Sequence, residues 1–199
     1  MAYIEPIQSK SQSTAGKDIL LFIATDAKSQ QYIIPNAQTT TGFSASANAS
    51  SETTKQGTVS KTSAPEYTIP FEAQLTQDDV AIQLIKEALN KNTTLAIWIV
   101  YADPAHSVPI NGTTKGYSAD HAIVNVGEFS MKADSENSAT ISATFNVTGG
   151  LTSNTKLVGN VVTIDPELAF PVSDKVIEIS KTMSAYVNPA EQTATKVKG

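Results

Sequence analysis

The chain has 199 residues, 19 acidic and 14 basic side chains, and a formal charge of -5. Every basic residue is Lys, so the planar fork that clamps phosphates or reads guanine edges is missing, and the acidic balance marks no surface for gripping nucleic acid. The absence of Cys excludes disulfides, thiolate metal sites and cysteine nucleophiles together.

This length fits one β domain with appended segments, and the abundance of Ser, Thr, Val and Ile favours pleated sheet over helix. Met1 to Lys17 lacks the charged and then apolar pattern of a signal peptide, and no stretch has the apolar length of a bilayer span, so no membrane role is expected. Residues 1–15 read as a polar N-terminal arm. The apolar run from Ile19 to Ala24 suits a short strand buried on both faces. Tyr32 to Ile34 is a second short candidate, halted by Pro35. From Asn36 to Pro65 only Phe43 and Val59 are large and apolar; ordering such a segment costs backbone entropy that few buried groups offset, so a long loop ordered by a partner is expected.

Tyr67, Ile69, Phe71, Ala73 and Leu75 alternate with Thr68, Pro70, Glu72 and Gln74, the period of a half-buried strand, and Pro70 points to a sheet edge. Thr76, with Asp79 three residues on, offers a cap for a helix over 78–90, where Val80, Ile82, Leu84, Ile85, Ala88 and Leu89 form one apolar stripe. Leu95 to Tyr101 is a strongly apolar strand, followed by a loop from Asp103 to Gly116. Between His121 and Ala133 the apolar phase changes at Gly127, from Val124 and Val126 to Phe129 and Met131, which predicts a β-bulge. Asp134 to Asn137 turns the chain into a second alternating strand, Ile141 to Val147, making a long hairpin with one apolar and one polar face. Leu157 to Ile164 and Val176 to Ile179 are further short candidates, the chain from Asn188 is a polar tail, and no repeat of 20 to 50 residues is present.

No residue set advertises catalysis, a cofactor or a metal. His106 and His121 have no Cys or Glu at ligand spacing and read as surface or turn residues. Gly16-Lys17-Asp18 lacks the earlier glycine and the following helix of a phosphate loop, Asp78 and Asp79 are accounted for by capping, and no serine stands in a nucleophile elbow. Asn48, Asn92, Asn111 and Asn146 begin glycosylation sequons that an Asn-, Ser- and Thr-rich chain yields by chance. Trp98 and Tyr101 could line a sugar-binding face, but their apolar strand makes Trp98 a core residue.

What stands out is an order of elements: strand, long polar segment, strand, capped helix, apolar strand, long hairpin, Gly149-Gly150. In this order and in the wording of Gly16 to Ile23, of Asp78 to Asn90 running into Leu95 to Val100, and of Gly127 to Met131 followed by Ala139 to Gly149, the chain resembles the major tail proteins of siphophages infecting Gram-positive bacteria. The resemblance covers roughly residues 16–165. It implies a mainly β tail-tube fold, two packed antiparallel sheets with one flanking helix, over residues 16–170, with 36–65 as an assembly loop and 171–199 as a C-terminal arm. It implies a non-enzymatic virion protein without cofactor, made in the host cytoplasm and self-assembling into stacked, hexameric rings. Its partners would be further copies, the tape measure, tail terminator and distal tail proteins, and DNA that passes through the lumen without specific binding. Candidates to line the lumen are one or the other polar face of the hairpin: Glu128, Ser130 and Lys132, or Thr140, Ser142, Thr144 and Asn146. Deleting residues 40–62 is expected to leave a folded monomer that cannot polymerise, and Leu84→Asp to abolish folding. The competing reading is a carbohydrate-binding or adhesive β-sandwich, which would need an exposed aromatic platform.

Overall fold

The computed structural model describes residues 16–28, 32–47, 49–55, 57–76, 78–103, 107–111, 114–133, 138–158, 161–165, 168–173 and 176. The expected N-terminal arm, His106, the turn at Asp134 to Asn137, the polar tail and all of Val176 to Ile179 except its first residue lie outside them. In chain order the strands are β1 (Ile19–Ala24), β2 (Gln38–Thr41), β3 (Ser44–Ser46), β4 (Ala49–Thr54), β5 (Gly57–Thr62) and β6 (Glu66–Gln74). After the helix α1 (Val80–Lys91) come β7 (Leu95–Tyr101), β8 (Val108–Asn111), β9 (Thr114–Lys132), β10 (Thr140–Ser153), β11 (Thr155–Val158), β12 (Val161–Ile164) and β13 (Phe170–Ser173).

The main sheet runs β1-β7-β9-β10-β6-β2, antiparallel throughout. Its spine is β9. Thr114–Tyr117 lies between β8 and β13, Ser118–Val124 pairs with β7, and Asp120–Lys132 pairs with β10. At the open side, β2 reaches β1 through a side chain: the Gln38 amide accepts the Leu21 N–H at 2.9 Å and donates to the Leu21 carbonyl at 3.1 Å. One amide thus replaces a rung of the ladder, and the sheet curls into a nearly closed barrel.

Two cores follow from the apolar runs. Because β1 and β7 are apolar at every position, both of their faces are covered. Leu21, Ile23, Leu95, Ile97 and Ile99 join Ile69, Phe71, Val124, Ile141 and Phe145 inside the barrel. Leu20, Phe22, Trp98 and Val100 face the other way, under Tyr32, Phe170 and Val172. The helix closes the barrel core with Ala81, Ile82, Ile85 and Ala88, the two isoleucines contributing roughly 1.5–3 kcal/mol each.

Several expectations are corrected. The cap of α1 is Asp79, not Thr76, and the helix starts at Val80; Asp78 instead takes a left-handed φ of 58° in the turn before it. One Asp79 oxygen accepts the Ala81 and Ile82 N–H groups, while the other accepts the Asn36 N–H and the Thr76 hydroxyl. The strand β6 is not an edge, since it lies between β10 and the β2–β3 pair. Pro70 is tolerated there because it falls opposite the break at Gly42 and Phe43, where neither β2 nor β3 continues the ladder. The 36–65 segment carries four short strands rather than a structureless loop: β2 and β3 add to β6, and β4 with β5 makes a separate hairpin. The expected loop from Asp103 to Gly116 contains β8 and the start of β9, and Tyr32 to Ile34 contributes only one bridge, Ile33 to Ile23.

Candidate functional site: a polar wall on the long hairpin

Alternation puts every second side chain of a strand on one face, and the register of β9 with β10 decides which residues share it. Val126 lies opposite Phe145 and Glu128 opposite Thr144, so Gly127 is the extra residue of a bulge, as its phase change predicted. A Cβ on Gly127 would come within 2.4 Å of the Asn146 side-chain amide, which lies over the glycine. Past the bulge the pairs are Ser130 with Ser142 and Lys132 with Thr140.

The two candidate sets are therefore one surface, not alternatives. Glu128, Ser130, Lys132, Thr140, Ser142, Thr144 and Asn146 share the face turned away from the barrel core, while Phe129, Ile141, Ala143 and Phe145 take the other. The Ser130 and Ser142 hydroxyls are 2.8 Å apart and bond across the strands.

Strands flanking the hairpin widen this wall. In register with β10, Thr68, Glu72 and Gln74 of β6 pair with Asn146, Ser142 and Thr140. Beyond them Thr40 donates to the Glu72 carboxylate at 3.1 Å, and the Ser44 and Thr68 hydroxyls are 2.7 Å apart. The polar half of the β6 alternation was visible in the sequence. Its placement beside the hairpin was not, because a pairing some 70 residues apart leaves no local signal. The wall carries Glu66, Glu72 and Glu128 against Lys132, with hydroxyls and amides between them.

Among the other described candidates, His121 and Trp98 meet, but within a core rather than a polar site. The His121 ring packs on Trp98 with centroids 4.7 Å apart, and its Nε2 is buried without a hydrogen-bond partner among the described residues. Burial pushes the His121 pKa below its ordinary value. Asp120, on the opposite face of β9, accepts the Tyr101 hydroxyl at 2.6 Å, and burial together with that carboxylate raises the phenol's pKa. Trp98 is only 9% exposed, enclosed by Tyr32, His121 and Phe170, so it belongs to a core and offers no platform to a sugar. Among the described residues no three His, Asp or Glu side chains could hold a metal ion. A pocket beside the Gln38 seam has about 50 Å³ of room. Ligand sites usually offer several hundred, about 300 Å³ or more. No helix among the described residues is long and apolar enough to cross a membrane.

A barrel-like sheet with a wide polar wall, and a hairpin that pairs with itself alone among the described residues, make this a mainly β protein. Residues 13–153 match the family model described as phage tail tube protein, and the chain belongs to that family. It is thus a structural component of a phage tail tube.

No curated protein sequence matches the chain. Among solved structures, its fold is similar to the SPP1 tail tube, at 17% identity and a TM-score of 0.54 over 81% of this chain and 88% of that one. It is also similar to the tail of an empty gene transfer agent particle refined with C6 symmetry, at 12% identity and a TM-score of 0.52 over 70% and 98% of the two chains. The anti-feeding prophage baseplate contains another similar chain, at 10% identity and a TM-score of 0.50 over 72% and 96%.

Proposed function

We propose that this protein assembles into hexameric rings that stack into the tail tube of a siphophage of Gram-positive bacteria, and that the polar wall lines the channel through which DNA passes. The observation that carries the reading is the composition of the wall on β9, β10, β6 and β2–β3. It spreads hydroxyls and amides over four strands and sets three carboxylates against one ammonium. Such a surface offers DNA few phosphate contacts and a mild repulsion, which suits passage rather than retention. Lys132, the exception, stands at the end of β9, away from the middle of the wall.

The β4–β5 hairpin supports stacking. Among the described residues it pairs only with itself, and an isolated two-stranded hairpin is marginal in water, so a docking surface on another copy would stabilise it. Tape measure, terminator and distal tail proteins would meet the inside and the two ends of such a tube, and the protein would reside in the virion after synthesis in the host cytoplasm. Negative-stain microscopy of the purified chain tests the reading, with tubes or rings of uniform diameter expected. Removing residues 49–62 should give a folded protein that no longer makes tubes. Monodisperse monomers from the intact chain at every concentration and salt tried would refute the proposal.

A further inference from the structure

On the face turned away from the barrel core, β9 carries two different surfaces. Past the Gly127 bulge that face is the polar wall, whereas before it Tyr117, Ala119, His121 and Ile123 belong to a layer of aromatic and apolar side chains. Trp98 is the centre of this layer. The Tyr32 ring stands edge-on to it at 5.0 Å, the Phe170 ring lies at 5.8 Å, and the His121 ring packs on it at 4.7 Å. Tyr32 and Phe170 meet at 4.8 Å, and Phe22 of β1 backs Phe170 at 5.0 Å. His121 alone in this group takes up a proton near neutrality, and its Nε2 is buried with no partner among the described residues.

Among the described residues the layer holds nothing to receive a charge. The strands β1, β7, β10 and β13 contain no charged residue. On β9 the adjacent Asp120 points to the opposite face, where it accepts the Tyr101 hydroxyl, and Lys115 stands at the far start of the strand, in register with Pro109 and Val172. Asp26 and Lys28, ahead of Tyr32, are exposed, and Lys156, beyond β10, is paired with Asp165. The other titratable groups of the layer are Tyr32 and Tyr117, both neutral throughout the acid range. An imidazolium here would lie among rings with no acceptor for its Nε2 proton, and burial accordingly holds the His121 pKa below its ordinary value. Contact with the indole face offsets only part of that cost.

We infer that His121 is an acid-sensitive latch on this layer: once protonated, its ring turns out to water and Trp98 loses its packing, so that the segments bearing Tyr32 and Phe170 loosen from the sheet while the barrel keeps its fold. Two separate cores make this order of events possible. The barrel core and the aromatic layer occupy opposite faces of β1 and β7, and the helix packs on the barrel core alone. A charge placed in one layer therefore leaves the apolar packing of the other intact. The latch lies within one copy of the chain, so it stands or falls apart from the tube reading.

Trp98 is the chain's only tryptophan, so its fluorescence reports on the layer directly. Emission and its quenching by acrylamide are followed on the full chain from about pH 7.5 to about pH 4.5, with far-ultraviolet circular dichroism alongside. In the parent, quenching should rise several-fold in a step centred below pH 6.5 while the dichroism holds. His121→Phe and His121→Leu should show no step, and either one that folds at neutral pH suffices for the comparison. Three results overturn the latch. One is flat quenching in the parent, even if emission dims, because the ring then titrates in place. Another is the same step in a folded variant. The third is loss of the dichroism together with the step, because the whole chain then unfolds at once.

Discussion

Asp79 is the most informative single substitution, because its carboxylate connects three parts of the chain. One oxygen holds the first turn of α1 through the Ala81 N–H at 2.9 Å and, more weakly, the Ile82 N–H at 3.4 Å. The other holds the approach to β2 through the Asn36 N–H at 3.0 Å, with the Thr76 hydroxyl at 3.4 Å. The side chain is 4% exposed, so water replaces little of what is lost. Losing the cap costs about 1 kcal/mol, and leaving the Asn36 N–H unpaired adds about 1–3 kcal/mol, giving roughly 3 kcal/mol for Asp79→Ala. Asp79→Asn keeps one oxygen and turns an NH2 toward a donor, so it should fall between the alanine variant and the parent. Circular dichroism across a urea titration reads the loss as a lower midpoint at unchanged slope. In a thermal scan the alanine variant should melt about 6–12 °C lower. A loss below about 0.5 kcal/mol for Asp79→Ala, or an asparagine variant as stable as the parent, would refute the claim that this carboxylate joins helix to sheet.

The helix gives a second test: Ile85→Asp should prevent folding, whereas Leu84→Asp, at a position only partly buried, should fold with reduced stability in the same titration. Gly127→Ala should cost about 1 kcal/mol, because the new methyl displaces the Asn146 amide; in Gly127→Ala with Asn146→Ala the two losses should sum to less than their separate values. For His121 desolvation of the partly buried ring lowers the folded pKa below the ordinary 6.5, so the unfolded state takes up a proton first as pH falls. Its contribution is whole above about pH 6.5 and is lost as pH drops toward the folded value, so urea midpoints across that window should fall more for the parent than for His121→Phe.

Local periodicity made much of this protein legible before any coordinates. The double-sided burial of β1 and β7, the apolar face of α1, the alternation of β6 and the bulge at Gly127 all follow from residues within a few positions of one another. The end of a helix is less legible than its middle: Thr76 and Asp79 are both good caps in isolation, and only the Asn36 N–H, brought from 43 residues away, explains why Asp79 is buried in that role.

The polar wall shows the same division. Sequence alone marked both polar sets of the hairpin, because alternation is a property of each strand. Whether they form one face or two depended on a single extra residue and on which strands lie beside them. Pro70 pointed to an edge because a proline cannot donate to a ladder, but the partner strand breaks opposite it. Likewise Gln38 reads as one more polar residue in a polar segment, and only the curl of the sheet makes its amide the link between β2 and β1. Composition and period thus determined which residues are polar, apolar or kinked within each element. Tertiary structure decided which elements share a surface, because strand pairing spans tens of residues and is selected by the packing of the whole core.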